Sequence, residues 1–206
     1  LDIGLTIGRF FLKTEDLHYG YWPDEKEANI QNLAEAQKAH SQFIIEHIPD
    51  RTKSILDVGS GSGNLALKLL NLGYAVDCVI PSEFLAEQVA AKLDDRSSIY
   101  ICGFEKVNDS KKYDLILFSE SFQYIKLGES LNKIVKILAE SGHLLICDFF
   151  RRDVPGKSPM GGGHKWEIFQ DTMANYPLNL VTDVDITNET RVAPLDAADF
   201  SVTMRT

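Results

Sequence analysis

The chain has 206 residues, 44% of them hydrophobic and 25% charged, and a net charge of −9. That is the size and balance of one globular domain with a full core, and the acidic charge argues against a nucleic-acid or anionic-membrane surface. Three cysteines (Cys78, Cys102 and Cys147) each lie in an apolar, β-branched run, so they read as reduced core thiols and predict a cytoplasmic protein.

The only basic doublets, Arg151-Arg152 and Lys111-Lys112, are explained by solvated loops. No apolar run reaches membrane-span length and no signal-peptide pattern opens the chain. Residue 1 is Leu, which leaves a targeting segment ahead of it open. The pattern divides into an N-terminal helical and aromatic cap over residues 1–50 and a core over residues 51–206.

Within 28–48, Leu33, Ala36, Phe43 and Ile44 recur at helical spacing, and Pro49-Asp50 ends that helix. Ile55, Leu56 and Val58 signal a short buried strand, which breaks into Gly59, Gly61 and Gly63. Leu65 to Leu70 then form an apolar helical run that stops at Gly73. A strand near 75–80, a helix near 83–93, a strand near 98–102 and a strand at 113–118 follow. Next comes a helix with Leu131, Ile134, Val135 and Leu138 on one face, and Ser141-Gly142 turns the chain into a strand at 143–149. A looser Gly- and Pro-rich segment runs over 153–163, followed by a helix at about 164–175 and a strand at 180–186. Ser201-Val202-Thr203-Met204 is expected to begin one more strand. This alternation predicts an α/β fold, a doubly wound and mostly parallel Rossmann-like sheet whose ligands bind beyond the carboxyl ends of the strands.

The glycine turn sits at the first of those ends. Strand, glycine turn and helix together point backbone N–H groups at a ligand, and a Cβ would hold that ligand away. Asp57 lies two residues before the first glycine. An acid there suits a cationic or hydroxyl-rich ligand group and repels a pyrophosphate. A dinucleotide site wants G-x-G-x-x-G; here the third glycine comes one residue early and Asn64 takes its place. A nicotinamide-dependent oxidoreductase would also need a substrate domain that 206 residues scarcely supply. The acid-before-glycine form instead resembles motif I of the class I S-adenosylmethionine-dependent methyltransferases.

Further segments are similar to the small-molecule C- and N-methyltransferases of the tocopherol, sterol and coclaurine types. These are Leu17-His18-Tyr19-Gly20-Tyr21-Trp22, Phe118-Ser119-Glu120-Ser121-Phe122-Gln123-Tyr124-Ile125, Asp148-Phe149-Phe150-Arg151-Arg152, and Asp185-Ile186-Thr187 followed by Pro194. The resemblance implies S-adenosyl-L-methionine as cofactor. It implies donor contacts from Tyr19, Asp57, Gly59, Ser60, Gly61, Gly63, Asn64 and Ser119. Two departures stand out. Ile80 occupies the place where most relatives carry an acid for the ribose, which leaves Ser82 for the ribose or adenine rim. Phe104-Glu105 replaces the usual Asp near the adenine: Phe104 either stacks on the purine or packs in the core, and Glu105 is placed to accept from the exocyclic amine.

Methyl transfer is an in-line displacement that needs alignment, dryness and, for some acceptors, a general base. Candidate bases are His164, His18, Glu120 and Tyr124, with Gly161-Gly162-Gly163 as a hinge beside His164. His40, His47 and His143 show no partner pattern, and no His, Cys or Asp spacing marks a metal site. The expected partner is a small-molecule acceptor methylated at N, O or C, with no nucleic acid and no membrane. Phe10, Phe11, Tyr19, Tyr21 and Trp22 suit a partly apolar one. The altered positions Ile80 and Phe104 motivate an alternative, a catalytically silent S-adenosylmethionine-binding regulator or partner subunit.

Overall fold

A computed structural model describes residues 14–23, 31–152, 163–190 and 199–205. The expectations for Phe10, Phe11, Gly161, Gly162 and Pro194 lie outside those residues. The segments form one sheet in the order β3-β2-β1-β4-β5-β8-β7. Its strands are β1 (Ser54–Val58), β2 (Ala75–Val79), β3 (Ile99–Tyr100), β4 (Tyr113–Ser119), β5 (Leu138–Arg151), β7 (Leu180–Asp185) and β8 (Asp199–Arg205). A two-residue strand, β6 (His164–Lys165), pairs with the end of β5. β1 to β5 run parallel, whereas β8 is antiparallel to both β5 and β7.

Helices cover both faces, which is why the central strands are mostly apolar instead of alternating with polar residues, with Asp57 in β1 and Asp77 in β2 as buried exceptions. On one face α1 (Leu33–Glu46), α2 (Asn64–Asn71) and α3 (Glu83–Leu93) pack through Ile44, Leu69 and Val89 on Ile55, Cys78, Leu117 and Cys147. On the other, α4 (Leu127–Ile137) and α5 (Trp166–Met173) pack through Ile134 and Phe169 on Leu56, Phe118 and Ile146. A short α6 (Thr187–Thr190) follows β7. Successive residues of one strand thus serve opposite cores, the period-two signature of a sheet buried on both sides.

The expected elements appear with shifted ends. The turn expected at Ser141-Gly142 survives inside β5 as an irregularity: Tyr113 pairs with Leu138, but Leu115 pairs with His143. The helix expected from 164 begins at Trp166, because His164 and Lys165 extend the sheet beside Phe150 and Arg151. Among the described residues no helix is long and apolar enough to cross a membrane.

Candidate active site

The glycine turn leaves β1 through three left-handed residues, Gly59 (φ 79°), Gly61 (φ 54°) and Gly63 (φ 77°). Side chains adopt that region at a cost of roughly 1–2 kcal/mol. At Gly59 space adds to conformation: a Cβ would lie 2.5 Å from the Cβ of Ser121, in the loop after β4. Ser121 Oγ closes that approach by donating to Val58 O at 2.5 Å, which ties the two strand ends together. Around Gly61 the nearest atom to an added Cβ is Gly59 O at 4.0 Å, so this side of the turn is open.

The open side faces a cleft of about 1040 Å³, bounded by Gly59–Asn64, Ile80–Ser82, Ser119–Ser121 and the segment Thr14–Tyr19 over α1. That is the upper end of the range for small-molecule sites and leaves room for two ligands side by side. Gln37 on α1 holds the covering segment in place: its amide donates to Asp16 O and His18 O, and its carbonyl accepts from Thr14 Oγ1 at 2.6 Å. Asn64 bonds Asp16 Oδ1 at 2.7 Å and accepts from Lys92 Nζ, linking the glycine turn to the same segment.

Asp57 is 2% exposed, and its Oδ2 has no hydrogen-bond partner among the described residues. Burial pushes its carboxyl up to about 7. A buried acceptor left unpaired costs about 1–3 kcal/mol, so the folded chain carries an unspent polar group at the strand end beside the turn. A cationic or hydroxyl-bearing ligand in the cleft satisfies it. The residues at the turn therefore fit the donor that the sequence implies.

A second polar group lies where β4 ends. Glu120 adopts φ 53°, a left-handed conformation rare for a residue with a side chain, and its carboxyl is almost fully buried. Its Oε1 accepts from Tyr19 N at 2.8 Å and lies 3.7 Å from His40 Nε2. Burial holds Glu120 well above the ordinary carboxyl range, with Asp148 pushing the same way. The imidazoles of His18 and His40 stack at 4.6 Å, and burial holds both below the ordinary imidazole value, so they are neutral at pH 7. Asp148 is fully buried behind them; burial lifts it to about 7 although it accepts from Gln123 N and Phe149 N.

The cleft gathers His18, Tyr19, Asp57, Gly59, Ser60, Gly61, Asn64, Ile80, Ser82, Ser119, Glu120 and Tyr124 of the expected residues. Ser82 lines it while capping α3, where its Oγ accepts from Leu85 N at 3.4 Å. Gly63 is buried beneath the turn and needs to be glycine for packing, since a Cβ there would stand 3.0 Å from Val89. Three expected residues do not line the cleft. Phe104 is 2% exposed, meets Phe118 edge-on at 5.2 Å and packs in the core, one of the two readings its sequence allowed. Glu105 follows it on a one-turn helix, exposed and outside the cleft. His164 sits in β6 with its Nε2 3.2 Å from Phe122 O, edge-on to the Phe122 ring and also outside the cleft lining. Sequence reasoning passed over Gln37, His40, Ser121 and Asp148. Each belongs to an element distant in sequence from its partner, and no spacing rule connects them.

A family model described as "Methyltransferase domain" matches residues 24–179. An uncharacterized methyltransferase of Geobacillus sp. (strain WCH70) is 26% identical over 155 residues, covering 71% of each chain. The malonyl-[acyl-carrier protein] O-methyltransferase of Anoxybacillus flavithermus is 28% identical over 133 residues, covering 61% of this chain but 50% of its own length. Among solved structures, geranyl diphosphate C-methyltransferase from Streptomyces coelicolor A3(2), in complex with Mg2+, geranyl-S-thiolodiphosphate and S-adenosyl-L-homocysteine, superposes with a TM-score of 0.81. It is 16% identical, with 98% of this chain and 91% of that one covered, a likeness of fold. With the glycine turn, the strand order and the family match in agreement, the chain belongs to the methyltransferase-domain family.

Proposed function

We propose that the protein transfers the methyl group of S-adenosylmethionine to a small-molecule acceptor bound in the same cleft. The observation that carries this reading is Asp57, a buried carboxyl with an unpaired oxygen beside an open, left-handed glycine turn. Bound there, the donor supplies an electrophilic methyl on a sulfonium. The residues of the chain do the rest. The N–H groups of the turn and the Asp57 carboxylate fix the donor, and Gln37 keeps the Thr14–Tyr19 segment over it so that water is excluded. His18, which lines the β4 end of the cleft, supplies a proton-accepting ring nitrogen there, with His40 stacked against it and Glu120 beside them.

The lining supports a partly apolar acceptor. Among the described residues that bound the cleft there is no Lys or Arg. Tyr19, Trp22, Leu17 and Leu33 offer apolar area, which favours a compact, partly apolar molecule. Titration calorimetry with S-adenosylmethionine and S-adenosylhomocysteine, followed by transfer of labelled methyl to an acceptor panel, tests the reading. Stoichiometric binding with label transfer supports it; failure of both ligands to bind overturns it. Ile80, buried where an acid would hold the ribose, favours a second reading, a donor-binding protein without turnover. Binding without label transfer to any acceptor would select that one.

A further inference from the structure

The three side chains His18, His40 and Glu120 come from separate elements: the covering segment, the middle of α1 and the turn after β4. One ring nitrogen of each histidine and a carboxylate oxygen of Glu120 all lie within 4.8 Å of one another. We propose that these three residues form a binding site for a divalent transition-metal ion, Zn2+ in type, with an open coordination position facing the cleft. This inference rests on the proposed function for its role in catalysis but not for its binding chemistry.

Two imidazoles and one carboxylate match the ligand set of open, three-residue metal sites, in which a fourth position takes water or substrate. Backbone groups orient two of the three ligands. His18 Nδ1 lies 2.8 Å from Tyr19 O, so an N–H donated there leaves Nε2 as the ligand atom. The N–H of the same residue, Tyr19, holds Glu120 Oε1 at 2.8 Å, so one residue orients two of the three ligands. His40 is fully buried, and its Nε2 lies 3.4 Å from Cys147 Sγ and 3.7 Å from Glu120 Oε1, so that nitrogen faces both the thiol and the carboxylate. Glu120 takes a backbone conformation unfavourable to side chains in order to point inward. Metal bonds of about 2.0–2.2 Å require donor pairs roughly 3–3.5 Å apart. The His40–Glu120 pair, at 3.7 Å, is close to that already.

A bound ion changes the local chemistry in a defined way. It places positive charge beside the Glu120 carboxyl at the β4 end of the cleft. An acceptor X–H whose heteroatom takes the open position loses its proton to solvent more readily. The lone pair on X then forms the bond to the methyl carbon, the carbon–sulfur bond breaks, and sulfur keeps that electron pair.

The test uses the full chain, free of affinity tags and stripped of metal by a chelator. Zn2+ is titrated against a chromophoric competitor, and Co2+ is followed by its visible absorption. The expected result is one equivalent of either ion, with affinity falling at least about 100-fold in His40→Gln and in Glu120→Gln, more than loss of an outer-shell partner costs. His18→Gln, on the partly exposed covering segment, repeats the test should either buried variant fail to fold. His143→Gln, which lies outside the cleft, keeps full affinity. Absence of a stoichiometric site, or equal affinity in the folded variants, overturns the proposal. S-adenosylhomocysteine binding measured on the same samples separates the two ideas: donor product bound without metal refutes the metal site alone.

Discussion

At the scale of single residues, Asp57 carries opposing demands of stability and function. Its carboxyl ionises near 7 in the folded chain because it is buried, against roughly 4 when unfolded. The folded state therefore holds that proton more tightly. The resulting stability is fully present below about pH 4 and is lost as pH rises through about 7. Asp57→Asn removes this loss, so the unliganded variant should melt several degrees higher than the parent at pH 8 in calorimetry. The same substitution should weaken S-adenosylmethionine binding at least about tenfold. Since the cationic donor prefers the carboxylate, parental affinity should fall as pH drops through 7, by at most about tenfold per unit, and the variant should show a flatter profile. A parent affinity independent of pH between 6 and 8 would contradict this role for Asp57. Gly59→Ala combines a left-handed φ with a 2.5 Å approach to Ser121. It should cost about 2 kcal/mol or more by denaturant unfolding.

At the scale of elements, the covering segment and the sheet are held by different forces. The sheet rests on its two apolar cores, whereas Thr14–Tyr19 is fixed largely by polar contacts to Gln37, Glu120 and Asn64. Gln37→Ala should therefore weaken donor binding and raise KM, with a loss of global stability no larger than about 1–2 kcal/mol. Equal losses of binding and melting temperature would show the segment to be part of the cooperative core. Ile134→Ala tests the other layer: fully buried on α4, it should cost about 2–5 kcal/mol. The elements were legible in the sequence because each strand buried on both faces is a short apolar run closed by Gly, Ser or Asp. The misplacements have local causes. His164-Lys165 carries no strand pattern of its own and becomes β6 only because the end of β5 offers free backbone partners. Phe104 reads equally as a stacking or a core residue until its neighbour is known to be Phe118, a contact across 14 residues of chain that no periodicity encodes.

At the scale of the whole molecule, the site exists because the fold brings three distant stretches to one edge of the sheet: the covering segment with α1, the glycine turn, and the loop after β4. The donor half was legible, because its residues are local to one turn whose geometry only glycine tolerates. The end beside β4 was legible only in part: His18, Glu120 and Tyr124 stood out in the sequence, and His40 did not. His40 meets Glu120 across 80 positions, and the burial that pushes the imidazole down and the carboxyl up is something a sequence does not display. The central claim is that the cleft beside Asp57 binds S-adenosylmethionine. A ligand at 100 times its dissociation constant adds about 2.7 kcal/mol of stability, which for a chain of this size corresponds to a melting shift of roughly 5–10 °C. The most direct measurement is the melting temperature of the parent and of Asp57→Asn, each with saturating S-adenosylhomocysteine and S-adenosylmethionine. A rise of that order in the parent, reduced in the variant, is the predicted result. No rise in the parent, or the same rise in both, would contradict the account.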